Sequence, residues 1–331
     1  MGSQTDSRNR RPLIYAPYHL VVCDVCVLSG LSLLLHAAES FLVFQPHGHS
    51  RGKNIVLISD DEEYRSEESL PQKAKILSTN NGFRCTVLFA INPKDGTIDP
   101  NQLDNIPGLE ALDSADPMVI LTRFRDLPDD QLKHIVDYVE SGKPIVGIRT
   151  ATHAFQVRTS TIYARYSWNS PNGGFGRMVL GETWIKHHGK QSTVGVLNPK
   201  EIDSPILRGI RDGELWSKTD VSEAKVPLPG DRKTLVFGEV FSGMDPKDSL
   251  VARALNDPMM PIAWTKTYTG DAGKSARVFA TTLSASEDLL TEANRRLVNA
   301  CYWALGLEQR IKPNAKVGLV GFFLYGRSER P

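Results

Sequence analysis

The sequence predicts an α/β protein: a doubly wound, mostly parallel sheet in a single domain. Short apolar runs recur through the first half, bounded by Gly, Pro or polar clusters, as strands buried on both faces require. Segments of helical length with apolar residues on one face alternate with them, which implies crossovers between parallel neighbours. One run, Pro144 to Ile148, breaks abruptly at Arg149-Thr150 into a polar turn that carries His153. A strand that ends in a sharp turn before a helix exposes its last side chains at the carboxyl edge, where open α/β sheets bind ligands. An activated nucleophile often occupies such an apex. Arg149 cannot serve as one, because a guanidinium stays protonated.

The 331 residues are 40% hydrophobic and 23% charged, with a formal net charge of +1. This is globular composition with length enough for a large core. The near-zero charge and the lack of any Lys/Arg run argue against a nucleic-acid partner. Residues 1–38 differ from the rest. Arg8, Arg10 and Arg11 precede an apolar run, His19 to Leu35, interrupted by Asp24, and His36-Ala-Ala-Glu39 follows. A basic start, a short apolar core and small residues before a polar stretch predict a secretory signal peptide and hence an exported protein. The run is too short and interrupted for a good span, so membrane contact is expected only through this leader. Cys23 and Cys26 fall within it. Of the remaining cysteines, Cys85 lies in a predicted strand and Cys301 on the apolar face of a helix, which predicts buried thiols and leaves a disulfide between them open.

Residues 39–52, with Pro46, Gly48, Ser50 and Gly52, read as a linker. Lys53–Ser59 is the first strand of the domain, which spans 53–310. The acidic stretch Asp60–Glu68 follows, and Ser66 is placed to cap a helix that Asn81-Gly82 ends. Arg84–Ala90 is the next strand. Pro117–Leu121 is another, leading into Arg123-Phe-Arg125. Pro128-Asp-Asp opens a helix whose apolar face is Leu132, Ile135, Val136 and Val139, and Gly142 ends it. Beyond the Arg149 turn, 156–190 reads as an inserted loop lobe. Strands are expected at Thr193–Leu197, Thr234–Val240, Pro261–Thr267 and Arg277–Leu283. A last helix capped by Thr291 carries an apolar stripe of Ala293, Leu297, Ala300, Cys301 and Ala304, and 311–331 is a C-terminal extension.

Several groups could carry chemistry. The acids with Tyr64 and Arg65 fall on the ligand-binding edge and could hold a polyol; the alternative is a solvated acidic loop. Arg123 and Arg125 share a face if extended and could clamp an anion, or pair structurally with those acids. His153 with His187 or His188 could work as acid and base or ligate zinc, although no zinc spacing is present. Gly173-Gly-Phe-Gly176 lacks the dinucleotide spacing and reads as a turn. Glu287-Asp288 is a candidate base or a helix cap.

Tyr64-Arg-Ser-Glu-Glu68, Gly147-Ile-Arg-Thr-Ala-Thr-His-Ala-Phe155, Val179-Leu-Gly181 and Trp184–Gly189 resemble the ThuA-like (trehalose utilisation) proteins, in particular their exported planctomycete-type branch. That resemblance implies a flavodoxin-like, class I glutamine amidotransferase-like fold with Arg149 at the nucleophile elbow. No cysteine stands at that elbow, so glutamine hydrolysis by that route is not expected; Thr150 is a conceivable substitute without an identified base. Ser286 stands where some members carry histidine. The resemblance also implies a carbohydrate ligand, a sugar or keto-sugar derivative. On these grounds Glu63, His153 and His188 are the expected catalytic groups. Tyr64, Arg65, Arg123, Arg149, Thr150 and His187 are the expected substrate-binding ones, with Arg149 anchoring a substrate oxygen or carboxylate. A non-catalytic binding module and a metal-dependent hydrolase using His153, His187 and His188 stand as alternatives. The sequence specifies no cofactor, metal or oligomeric state.

Overall fold

The computed structural model describes residues 40–251, 253–283, 288 and 293–321. The predicted leader, Ser286, Glu287 and the Thr291 cap lie outside the described residues. Among the described residues twelve strands form in chain order: β1 Phe41–Phe44, β2 Asn54–Asp60, β3 Arg84–Phe89, β4 Met118–Thr122, β5 Ile145–Ile148, β6 His187–His188, β7 Thr193–Leu197, β8 Leu215–Ser217, β9 Val221–Ser222, β10 Lys233–Val240, β11 Met260–Thr269 and β12 Ser275–Thr281. Among the same residues are the α-helices α1 Ser66–Asn81, α2 Asp129–Glu140, α3 Arg253–Asn256 and α4 Ala293–Ala304.

Ten strands make one sheet in the order β1-β3-β2-β4-β5-β12-β11-β10-β7-β8, while β6 and β9 form a separate two-stranded ribbon. The sheet is mixed rather than mostly parallel. Its centre, β3-β2-β4-β5-β12, is parallel throughout, and every other pairing is antiparallel. The connections explain the division. Parallel neighbours need a crossover of a dozen residues or more, and α1 and α2 supply two of them. In the second half β11 turns directly into β12 through Gly270–Lys274, and a hairpin can only be antiparallel.

Helices pack on both faces. Leu70, Ala74 and Leu77 of α1 and Leu297, Ala300 and Cys301 of α4 are buried in one core with Ile55, Leu57 and Val146. Leu132, Ile135 and Val139 of α2 join Val56, Ile58 and Ile120 in the other. Side chains alternate between the faces along β2, so its continuous apolar run fills both cores. The stripe predicted for the second helix, and Leu297, Ala300, Cys301 and Ala304 of that predicted for the last, are these buried faces. Cys85 and Cys301 are free, buried thiols, and burial pushes the Cys301 thiol up to about 12.

Two local expectations are corrected. The segment read as a linker contains β1, whose Phe41–Phe44 extend the sheet antiparallel to β3. Ser66 is not the cap of α1. The cap is Arg65, in a left-handed conformation. The Ser66 hydroxyl instead accepts from the Asp61 N–H at 2.9 Å and from Ser59 Oγ at 3.0 Å, which ties the acidic loop to the helix start.

The glycines of Gly173-Gly-Phe-Gly176 are required by close packing. Gly174 has φ 56° and lies against the Ser167 carbonyl, and a Cβ on Gly176 would run into the Thr152 carbonyl. This turn therefore seats the inserted lobe against the β5 elbow. Among the described residues no helix is long and apolar enough to cross a membrane.

Candidate functional site

The carboxyl ends of β2, β4 and β5 converge. The loop after each contains one non-glycine residue in the left-handed region: Arg65 (φ 54°), Phe124 (φ 52°) and Arg149 (φ 48°). No other described non-glycine residue has positive φ. Such conformations cost roughly 1–3 kcal/mol each and persist only where surrounding contacts over-determine them. The contacts here are ionic. Arg125 and Asp60 are both fully buried, 2.6 Å apart, and the second guanidinium nitrogen of Arg125 meets Glu62 at 2.6 Å. Arg125 Nη1 also donates to the Pro100 carbonyl at 2.8 Å. Arg123 pairs with Glu62 and, at 3.0 Å, with Glu63. Of the two readings of the arginine pair, Arg125 fits structural pairing; Arg123 is paired yet lines the cleft.

The β5 elbow is tied to the same loops. Asp61 accepts from the backbone N–H groups of Glu63 and Tyr64 at 2.8 and 2.7 Å, and the Thr150 hydroxyl donates to its other oxygen. Burial raises the Asp61 pKa against these hydrogen bonds. The buried Arg149 guanidinium donates to the Thr282 carbonyl (2.5 Å), the Asp220 carbonyl (2.9 Å), Asp220 Oδ1 (2.6 Å) and the Tyr64 hydroxyl (2.7 Å), and its plane lies over the Tyr64 ring. The four terminal N–H groups are thereby occupied within the protein. Arg149 therefore organises Tyr64 and Asp220 rather than presenting a free guanidinium as the substrate anchor. Burial also raises the Tyr64 pKa, so its hydroxyl keeps a proton that it can donate to a ligand.

The ribbon β6/β9 closes the site from the other side, pairing His187 with Ser222 and His188 with Val221. Adjacent residues of a strand face opposite ways, and the two histidines separate accordingly. His187 Nδ1 lies 2.5 Å from Asp220 Oδ2 with its ring 57% exposed. His188 turns away, its Nε2 2.7 Å from the Leu255 carbonyl, and so it is corrected from catalytic candidate to a structural residue. Arg65 is also removed from the site: it pairs with Glu68 along α1. Asp288 accepts from Ser217 Oγ at 2.9 Å, buried away from the cleft. The three histidines do not form one ligand set, and among the described residues no group of three or more His, Cys, Asp or Glu is arranged to hold a metal.

What remains is a cleft in two compartments. The inner one, about 90 Å³, is lined by Arg123, Phe124, Arg149, Thr150, His153, Trp184 and Ser222 together with Glu63, Tyr64 and His187. At about 30 Å³ per water, it admits one functional group rather than a whole sugar. The outer bowl, about 280 Å³, shares Glu63, Tyr64 and His187. Together they reach the lower end of the ~300–1,000 Å³ typical of small-molecule sites. The cleft thus gathers Glu63, Tyr64, Arg123, Arg149, Thr150, His153 and His187 of the predicted residues. Sequence reasoning missed Phe124, Ser222 and, above all, Asp220. Asp220 sits in a polar turn between two very short strands, with no periodicity or motif to flag it.

His153 sits among rings: Phe124 at 4.9 Å and Trp184 at 5.4 Å between centroids, with Trp184 in turn 5.6 Å from His187. Its Nδ1 is 3.2 Å from Thr152 Oγ1. Burial, and then the charges of Arg123 and Arg149, push its pKa well below 6.5. It is therefore a neutral hydrogen-bonding group at pH 7. The depressed value has a stability consequence. Below pH 6.5 the unfolded chain binds a proton here that the folded one refuses, so stability falls as the pH falls through that window. The expected slope is about 1.4 kcal/mol per pH unit at most. Urea unfolding of the wild type minus His153→Gln, from pH 7 downward, should isolate it; parallel curves would contradict the assignment.

No family model and no curated protein matches the chain. Among solved structures it is similar to a ThuA-like protein from Parabacteroides merdae (15% identity, 76% of this chain and 90% of that one, TM-score 0.47). It is also similar to a ThuA-like protein from Bacteroides uniformis (14% identity, 83% and 98%, TM-score 0.48). A cytoplasmic protein from Salmonella typhimurium is a third (13% identity, 78% and 100%, TM-score 0.40).

Proposed function

We propose that this cleft binds and processes a sugar or keto-sugar derivative, with His187 as general acid and base and Asp220 as its positioning residue. The observation that carries the reading is the Arg149–Asp220–His187 relay. One Asp220 oxygen is held by Arg149 and the other lies 2.5 Å from His187 Nδ1. A carboxylate there accepts Nδ1–H and leaves Nε2 to face the cleft as a proton acceptor. A hydroxyl proton, or a proton on carbon next to a ketone, is the kind such a group removes. Neutral His153 and the Tyr64 hydroxyl are suited to hydrogen-bond the oxygen on which charge develops. Trp184 and Phe124 supply apolar ring surface for a sugar face.

The fold supports the placement. In chain order the five central parallel strands run 2-1-3-4-5, the flavodoxin-like order, whose ligands bind beyond the strand carboxyl ends. Arg149, at φ 48° on the turn from β5 into a short 3-10 helix, supports reading this turn as the nucleophile elbow of a glutamine amidotransferase-like fold. The sequence of the leader supports export.

A second reading, a non-catalytic binding module, is favoured by one observation: Arg123, Arg125 and Arg149 are all paired within the protein. One experiment separates the two. Purified protein is incubated with disaccharides, sugar alcohols and their keto derivatives, and melting temperature and product are followed together. Turnover of a keto-sugar is the expected result. A melting shift without product, which a native-state ligand produces by mass action, supports the binding module. Absence of both shift and product overturns the carbohydrate reading.

A further inference from the structure

The outer bowl carries charges that the relay does not use. Glu63 pairs with Arg123, which also holds Glu62, and Asp220 is paired with Arg149 and hydrogen-bonded to His187. Lys190 and Lys218 also line the bowl, and among the described residues neither has an ion-pair or hydrogen-bond partner. Both are exposed at their tips but held at their base. Lys190 follows Gly189, whose backbone (φ 99°) packs against Val240. Lys218 sits between Ser217 and Thr219, two buried residues joined by a 2.7 Å hydroxyl–hydroxyl hydrogen bond. The β6/β9 ribbon thus brings two lysines from separate loops to one rim, beside the ring of His187.

We propose that this rim is an anion subsite, and that the substrate is a sugar bearing a carboxylate or phosphate. The assignment rests on the carbohydrate reading above and adds the charge of the substrate. The inner compartment is smaller than a whole sugar, so the remainder of a ligand would occupy the bowl that the two lysines line. Those groups gain most from a charged acceptor, since hydrogen bonds to charged groups are the stronger class. The geometry is divided: polar, closely fitted recognition inside, and an electrostatic clamp outside.

Glucose, glucuronate and glucose 6-phosphate serve as probes, with affinity measured by calorimetry at low and high salt on the wild type and on Lys190→Gln/Lys218→Gln. The wild type is expected to bind one or both anionic sugars about tenfold or more tighter than glucose, which corresponds to 1.4 kcal/mol. That ratio should shrink with salt, because rim charges are screened, and collapse in the double variant. Preference for glucuronate over the phosphate assigns a sugar acid, and the reverse assigns a sugar phosphate. Equal binding of glucose and both anions, or a ratio unmoved in the double variant, overturns the subsite while leaving the carbohydrate reading standing. Failure of all three to bind overturns both.

Discussion

Replacing His187 with Asn is expected to lower kcat on the processed sugar by about 10²–10⁴-fold, the usual worth of a positioned acid–base group. The fold should survive, because the ring is 57% exposed and its one polar tie is to Asp220. Asp220→Asn should cost a comparable factor for a different reason. An amide placed there can turn its oxygen to Arg149 or to His187 but not to both. With its oxygen on Arg149 its NH2 faces Nδ1 and selects the tautomer protonated at Nε2; with its oxygen on His187 it sets an NH2 against the Arg149 guanidinium, so the tautomer that leaves Nε2 bare is held only part of the time. The double variant should be little worse than either single one, since residues acting as one unit are not additive. Steady-state kinetics on all three, with melting temperatures as a folding control, decide the matter. Losses below tenfold in both single variants would remove His187 from the chemistry.

The second large effect concerns the fold beneath the site. Arg125→Met is expected to cost about 3–5 kcal/mol, because it strips a fully buried Asp60 of its partner. Burial already raises the Asp60 pKa well above its usual value, with Arg125 acting against that. The sign follows from linkage. Once Arg125 is gone, ionisation of Asp60 opposes folding, so the defect should be greatest near neutral pH and shrink as the pH falls and Asp60 takes up a proton. Adding Asp60→Asn should recover part of the loss. Urea unfolding with an unchanged m-value is the appropriate measurement. A cost below 1 kcal/mol would mean that the network of Asp60, Glu62, Arg123 and Arg125 does not fix the floor of the cleft.

The parallel centre of the sheet was legible because each of its strands is a continuous apolar run bounded by punctuation, as at Ile55–Ile58 and Ile145–Ile148. The antiparallel half was legible as strands but not as pairings. Alternation along β7 and β10 shows half-burial without showing which strand lies beside which. The strands missed were the shortest, β6, β8 and β9, whose two or three residues carry no period, and β1, which follows a leader that masks its own apolar signal. The same limit governs the site. Residues just past a buried apolar strand, such as Arg149 and His153, announced themselves by breaking an apolar run. Asp220 did not, because what brings it to His187 is the pairing of two-residue strands far apart in sequence. Nor could sequence separate His187 from His188. Which of two neighbours faces the cleft depends on register, and here Val221 and Ser222 settle it.

In the proposed site Asp220 fixes the His187 imidazole with Nδ1 protonated and Nε2 open to the cleft. Nitrogen-15 NMR of the ring, recorded at alkaline pH on wild type and Asp220→Asn, reads the tautomer directly. The relay requires the Nδ1–H form in the wild type and a mixture in the variant. A wild-type ring protonated at Nε2, or one indifferent to the substitution, would contradict it.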